Sequence, residues 1–186
     1  NEADILKAEG GEVNMAGGGI VRSGIKDLME LVAKNKGKYA ARRVDRAAEE
    51  VPNLEQQYTK NALKNAFTGD NATGVMVMRP KYFEEYAEPL PPPYLQGAEY
   101  KRSPITGEYV TYEKYINDLA NHIEGMGASE VPYLELERTA NDGVRISGHE
   151  GRHRMRALNQ LGDQTSLVRM LPGKGMRERF PRGSQE

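Results

Sequence analysis

Apolar positions recur at helical spacing in some stretches of the chain and alternate or run continuously in others. In residues 25–36, Ile25, Leu28, Met29, Leu31 and Val32 form one apolar face, which predicts a short helix. Residues 39–50 continue as a charged, Ala-rich helix that Pro52 ends, and a further helix is predicted from about Leu54 to Phe67, closed by Thr68-Gly69-Asp70-Asn71. Val75-Met76-Val77-Met78 reads as a short strand closed by Pro80, followed by one or two helical turns over residues 81–88. Residues 89–93 hold four prolines and are expected to be extended, and the polar loop beyond them has room for a small hairpin around Gly107. Thr111 is a natural N-cap. Tyr112, Tyr115, Ile116, Leu119, Ile123 and Met126 then follow at helical spacing up to Gly127. Residues 131–138 alternate as a strand, Asn141-Asp142-Gly143 signals a turn, and Val144-Arg145-Ile146 returns. A helix over residues 152–161 buries Met155, Leu158 and Leu161 and stops at Gly162, and residues 166–171 form a last strand ended by Pro172.

This order predicts a small α/β (α+β) domain over residues 74–172, a mixed sheet with helices, preceded by a helical region over 25–70. Residues 1–24 are Gly-rich and residues 173–186 form a basic, polar tail. Gly17-Gly18-Gly19 reads as a linker, because no Lys-Ser or Lys-Thr follows it as a phosphate-binding loop requires. Arg42, Arg43 and Arg46 are interleaved with Asp45, Glu49 and Glu50, the pattern of a solvated helix face. His122, beside the apolar stripe of its helix, reads as a packed or surface residue.

Composition narrows the function classes. Hydrophobic residues make up 38% of the chain, with 3 Phe and no Trp, a lean core that points to an oligomer or a part of a larger assembly. The formal net charge of −1 argues against indiscriminate nucleic-acid binding, but basic residues outnumber acidic ones from Arg145 onward. The absence of cysteine excludes disulfides, thiolate metal sites and cysteine nucleophiles. No apolar run approaches the roughly 20 residues needed to cross a bilayer, and no secretion signal is visible, so no membrane partner is expected. The first residue is Asn1 rather than Met, which suits a processed, trimmed or partial chain.

The chemistry concentrates in Gly148-His149-Glu150-Gly151-Arg152-His153-Arg154, placed between a strand and a helix. The first amides of a helix have no internal partner and sit at the positive end of its dipole, so they welcome an anion. Gly148 and Gly151 would let the backbone approach that anion, and Arg152, His153, Arg154 and Arg156 would add side-chain donors. Three arginines within five residues oppose the dipole unless an anionic partner is present. The same segment also spells H-E-x-x-H, the zinc metallopeptidase pattern, with His149 and His153 as ligands, Glu150 as base and Glu178 as a distant third ligand. That chemistry needs both histidines on one face of a continuous helix, and the flanking glycines and neighbouring arginines are poor company for it.

The run from Glu150 to Gly162 resembles the nucleotide-site motif of the ParB/sulfiredoxin superfamily: an acidic residue, Gly, basic residues, a helix and a closing Gly. The resemblance extends over about residues 74–172 through the strand at Val75, the helix ending in Gly127, the strand over 131–137 and the strands flanking the motif. It implies a compact domain that binds a nucleoside triphosphate with Mg²⁺. Gly151, Arg152, His153 and Arg154 would contact phosphates, and Glu150 would hold the motif's acidic position. Members of the superfamily include CTP-binding DNA clamps, kinases, sulfiredoxins and proteins described as nucleases. The sulfiredoxin reaction is excluded because the motif cysteine is missing, and no helix-turn-helix follows Pro172. His149 ahead of Glu150 looks most like ParB-like domains of phage-encoded proteins, which implies host cytoplasm or virion as the location. The expectation is a nucleotide-binding domain with Glu150 and His153 as catalytic residues for hydrolysis, phosphoryl transfer or a nuclease reaction. Against it stands a structural or DNA-contacting virion component with an inactive site.

Overall fold

The computed structural model describes residues 21–69, 74–87, 100–141 and 143–173. The glycine triplet, the proline-rich segment, Asp142 of the predicted turn, Glu178 and nearly all of the basic tail lie outside the described residues. Among the described residues the fold is mixed α/β, with helices α1 (Val21–Lys36), α2 (Lys38–Glu50), α3 (Leu54–Gln57) and α4 (Lys60–Thr68) leading into strand β1 (Val75–Met78). There follow α5 (Pro80–Tyr86), β2 (Tyr100–Arg102), β3 (Tyr109–Thr111), α6 (Tyr112–Met126), β4 (Tyr133–Arg138), β5 (Val144–Glu150), α7 (Arg152–Gln160) and β6 (Ser166–Pro172). No helix among the described residues is long and apolar enough to cross a membrane.

The main sheet has the order β1-β6-β4-β5, with β4 and β6 parallel and the two outer pairs antiparallel. β2 and β3 form a separate hairpin about Gly107, whose φ is +74°. β6 is central, and its residues Ser166, Leu167 and Val168 are all fully buried. Burial of three successive residues means that this half of the strand is covered on both faces, while Arg169 to Pro172 are only half-buried. Met155, Ala157 and Leu158 of α7 join Leu134, Leu167 and Val168 in the core. Each fully buried side chain of the size of Leu or Met contributes roughly 1.5–3 kcal/mol.

The N-terminal helices belong to the same core, not to a detached appendage. Ile25, Val32, Val44, Leu54 and Phe67 lie in one cluster with Leu134 and Val168. Helix α1 starts at Val21, earlier than the apolar periodicity predicts. The single helix expected over residues 54–67 is two helices. Tyr58 leaves helical geometry to form a parallel bridge with Ala128, and Thr59 restarts the chain as N-cap, accepting from the Ala62 amide. The Tyr58 hydroxyl lies 2.6 Å from Ser166 Oγ and donates to the Leu167 carbonyl at 3.3 Å, so a phenol is held inside the core. Gly127 has φ +74°, and a Cβ there would fall 2.8 Å from the Tyr58 carbonyl carbon, so glycine is needed at this junction for conformation and for space. Met126, predicted to be part of the apolar stripe, is 71% exposed, although Ile123 before it and Ala128 after it lie in the core.

The basic helix α2 is solvated at Arg42 and Arg46, and Arg46 pairs with Glu50 on the surface. Arg43 departs from that reading. It is half-buried and donates to the Val75 carbonyl at 2.9 Å, tying α2 to the edge strand β1.

Candidate functional site

The segment singled out by sequence is divided between a strand and a helix. β5 does not stop at Ile146 but pairs with β4 through Glu150, with Gly148 opposite Glu135, His149 opposite Leu134 and Glu150 opposite Tyr133. The register shifts between Glu135 and Leu136, leaving Ser147 as the additional residue of a bulge. Gly148 is therefore a strand residue. A Cβ there would meet only the carboxylate end of Glu135, at 2.9 Å from Oε2, which a turn of that side chain relieves.

Gly151 makes the turn alone. Its φ of +101° and ψ of 14° are left-handed, and a Cβ would come within 2.6 Å of Pro132. As N-cap of α7 it supplies no side-chain cap, and the first turn contains no acid. The amide of Met155 bonds to the Gly151 carbonyl at 2.9 Å, which starts the helix ladder. The positive end of α7 thus carries Arg152, His153 and Arg154 with no intrinsic counter-charge in its own turn.

These three side chains fan out differently. Arg152 and Arg156 share the α7 face toward Tyr112. Burial holds the Tyr112 phenol above its usual range, and the two arginines oppose that shift. Arg156 donates from Nε to Glu84 at 2.8 Å and from Nη1 to the Tyr112 hydroxyl at 3.2 Å. Glu84, on α5, thus reaches the site region as the partner of Arg156. His153 stands edge-on to both Tyr112 and Tyr115, with ring centroids 5.5 and 5.4 Å apart. Arg154 is the most enclosed, with its side chain 17% exposed. Its Nη1 lies 3.5 Å from Glu130, its Nη2 lies 3.3 Å from Glu150, and its buried Nε has no hydrogen-bond partner.

The start of α7 opens onto a cleft of about 210 Å³. Glu150, Gly151, His153 and Arg154 form one wall, and Tyr115, Leu119, His122 and Ile123 of α6 form the other. Burial raises the Tyr115 phenol above its usual range, against the pull of Lys101 and Arg154, so it stays a hydrogen-bond donor at neutral pH. From sequence Tyr115 belongs to the apolar stripe of its helix and His122 is a packed or surface residue, and neither is assigned to a site. The available signal was their spacing, since Tyr115, Leu119 and His122 occupy i, i+4 and i+7 of one helix face.

The H-E-x-x-H pattern does not form a helical zinc site. His149 lies in β5 and packs edge-on against Phe83 at 6.4 Å, whereas His153 lies in α7 against two tyrosines, with left-handed Gly151 between them. Among the described residues no three His, Cys, Asp or Glu side chains are grouped to hold a metal ion. Of the residues read as phosphate or catalytic groups, Glu150, Gly151, His153 and Arg154 line one cleft, Arg152 and Arg156 stand toward Tyr112, and Gly148 and His149 belong to the strand.

Comparison with protein-family models, with curated proteins and with solved structures gives no significant match to this chain.

Proposed function

We propose that the protein binds a phosphate-bearing ligand, a nucleoside triphosphate in the first instance, at the start of α7. The observation that carries this reading is the pairing of an uncapped helix N-terminus at left-handed Gly151 with Arg154 and His153 on the wall of a cleft. The resemblance of the Glu150–Gly162 run to the ParB/sulfiredoxin motif supports the same ligand class. The first-turn amides and Arg152 and Arg154 would neutralise phosphate charge, His153 would donate to a phosphate oxygen, and Tyr115, Leu119 and Ile123 would cover the apolar part of the ligand. Mg²⁺ typically uses one or two carboxylates together with substrate phosphates, and Glu150 and Glu130, both exposed beside Arg154, fit that role. If turnover occurs, Glu150 is the group to orient water and His153 the group to give a proton.

The test is thermal stability against each ribonucleoside triphosphate, with Mg²⁺ and with EDTA. A ligand at about 100 times its dissociation constant stabilises by about 2.7 kcal/mol. A selective upward shift that is lost in Arg154→Ala supports the reading, and no shift with any triphosphate overturns it.

One observation favours a second reading, a structural or DNA-contacting component of a larger assembly such as a virion. Arg154 and Arg156 already have carboxylate partners, so the basic cluster is internally neutralised. Rings or higher oligomers in sedimentation, with no response to nucleotide, would favour it.

A further inference from the structure

β5 is the last strand of the main sheet, with β4 on one side and no strand on the other among the described residues. It is 7 residues long, whereas the opposite edge strand, β1, has 4 residues and its Val75 carbonyl is taken by Arg43 of α2. An edge of that length offers a row of backbone N–H and C=O groups to another strand. Two features of β5 decide which strand fits it, the bulge at Ser147 and the placing of Arg145 and Glu150.

Arg145 lies opposite Glu137 of β4, and Glu150 lies opposite Tyr133. Tyr133 and Glu137 are an even number of residues apart in one strand, so Arg145 and Glu150 stand on the same face of the sheet. Their side chains are 67% and 57% exposed. Arg145 sets Nε and Nη2 on one oxygen of Glu137, at 3.1 and 2.8 Å, and a guanidinium has five N–H donors in all. Glu150 gives one oxygen to Arg154, at 3.3 Å. Both groups therefore keep bonding capacity for an ion pair across the edge.

We infer that β5 pairs antiparallel with β5 of a second copy of this chain, about a two-fold axis between Ser147 and Gly148. In that register Arg145 faces the partner's Glu150, and by symmetry Glu150 faces the partner's Arg145. Ile146 faces the partner's His149, and the two bulges meet at the axis. Opposite charges directly across a strand pair stabilise it, and like charges oppose it. Sliding the copy by two residues in either direction loses both ion pairs, so the charges also select the register. The bulge acts in the same sense. A copy carrying the same bulge matches β5 residue for residue, whereas a regular strand such as β4 leaves the additional residue unpaired. Two four-stranded sheets thus become one continuous sheet. Arg145 then lies between Glu137 of its own β4 and the partner's Glu150, and its planar fork serves both carboxylates.

The test is sedimentation velocity of the full chain at concentrations up to about 500 µM. A strand pair buries less than a standard interface, so a reversible dimer with a dissociation constant on the order of tens of micromolar is expected. Raising NaCl from about 0.05 to 0.5 M is expected to weaken it about threefold, since the selecting contacts are exposed ion pairs. Arg145→Glu and Glu150→Arg each put like charges across the pair twice, and each is expected to weaken association at least about tenfold. An equal mixture of these two variants restores both ion pairs in the mixed dimer, which is expected to be within about threefold of the unaltered chain. Arg145→Gln and Glu150→Gln, milder changes at the same exposed positions, are each expected to weaken it about threefold. The inference is overturned if the unaltered chain stays monomeric to the highest concentration, if the charge-reversed and glutamine variants associate as the unaltered chain does, or if the mixture associates no more tightly than its components alone.

Discussion

The guanidinium of Arg154 lies 3.3 Å from the carboxylate of Glu150, across the turn that Gly151 makes between strand and helix. The two residues therefore compete for one role: the carboxylate occupies the charge that a bound phosphate would need. Glu150→Gln removes the competitor while keeping the side chain's shape. Affinity for inorganic triphosphate, measured by calorimetry without Mg²⁺, is expected to rise about fivefold. Folding stability should change by less than about 1 kcal/mol, because the Glu150 side chain is more than half exposed. Unchanged or weaker affinity would mean that Arg154 does not receive the anion.

Gly151 and Gly162 separate conformational strain from lack of space. Both have positive φ, at +101° and +83°, but only at Gly151 does a Cβ collide with anything, namely Pro132. Gly162→Ala is expected to cost about 1–2 kcal/mol for the left-handed backbone alone. Gly151→Ala is expected to cost about 3 kcal/mol or more, strain and overpacking together. Urea unfolding midpoints of the two variants check the order.

Arg156 is expected to matter for stability more than for ligand affinity. Its bond to Glu84 joins α5 to α7, and both side chains are about one-third exposed or less. Removing one partner leaves a poorly solvated charge, so each single alanine variant should cost about 1–3 kcal/mol and the double variant little more than either. A double-mutant cycle in urea measures this. An additive cycle would show that the pair does not act as a unit.

Tyr58 makes stability fall at high pH. Burial drives its phenol far above the ordinary range, while the hydrogen bond to Ser166 opposes that shift. In the unfolded chain the phenol ionises near its usual pKa of about 10, and in the folded chain it keeps its proton. The stabilisation is thus complete below about pH 10 and is lost progressively above it, as the unfolded state releases a proton that the folded state holds. Tyr112 and Tyr115, also raised by burial, add to the same slope. Tyr58→Phe should destabilise by about 1–3 kcal/mol at neutral pH, by stranding the Ser166 hydroxyl, and should reduce the alkaline slope. Melting temperatures between pH 8 and pH 11 read both effects.

What the sequence disclosed depended on how local the governing physics was. Thr111 as N-cap, Gly127 and Gly162 as stops and the hairpin about Gly107 are set by residues within a few positions of each other, and each occurs where its residue type predicts. The break at Tyr58 was hidden because Ala128 and Ser166 cause it, from far along the chain. Gly148 looked like a turn residue beside Gly151, but the ladder to β4 holds it in the strand, and only pairing with Glu135 reveals that. At the site, Glu150, Gly151, His153 and Arg154 were legible as a charged turn. The opposite wall, Tyr115 and His122, was not, because it is the edge of the apolar stripe of α6, and only tertiary packing shows that part of that stripe lines a cleft instead of the core. The partner of Arg156 was equally a tertiary fact, with Glu84 lying on a different helix.

The junction at Tyr58 also fixes how the molecule opens. The amide of Thr59 bonds to the Ala128 carbonyl, and the amide of Ala128 bonds to the Gln57 carbonyl, so two distant points of the chain share a backbone clasp. Neither amide can meet solvent deuterium without releasing the other strand of that clasp. Their exchange rates are therefore expected to be matched and to follow the same denaturant dependence, as members of one opening unit. The N-terminal helices and the wall that holds His122 would then form a single foldon, although Thr59 and Ala128 lie far apart in sequence.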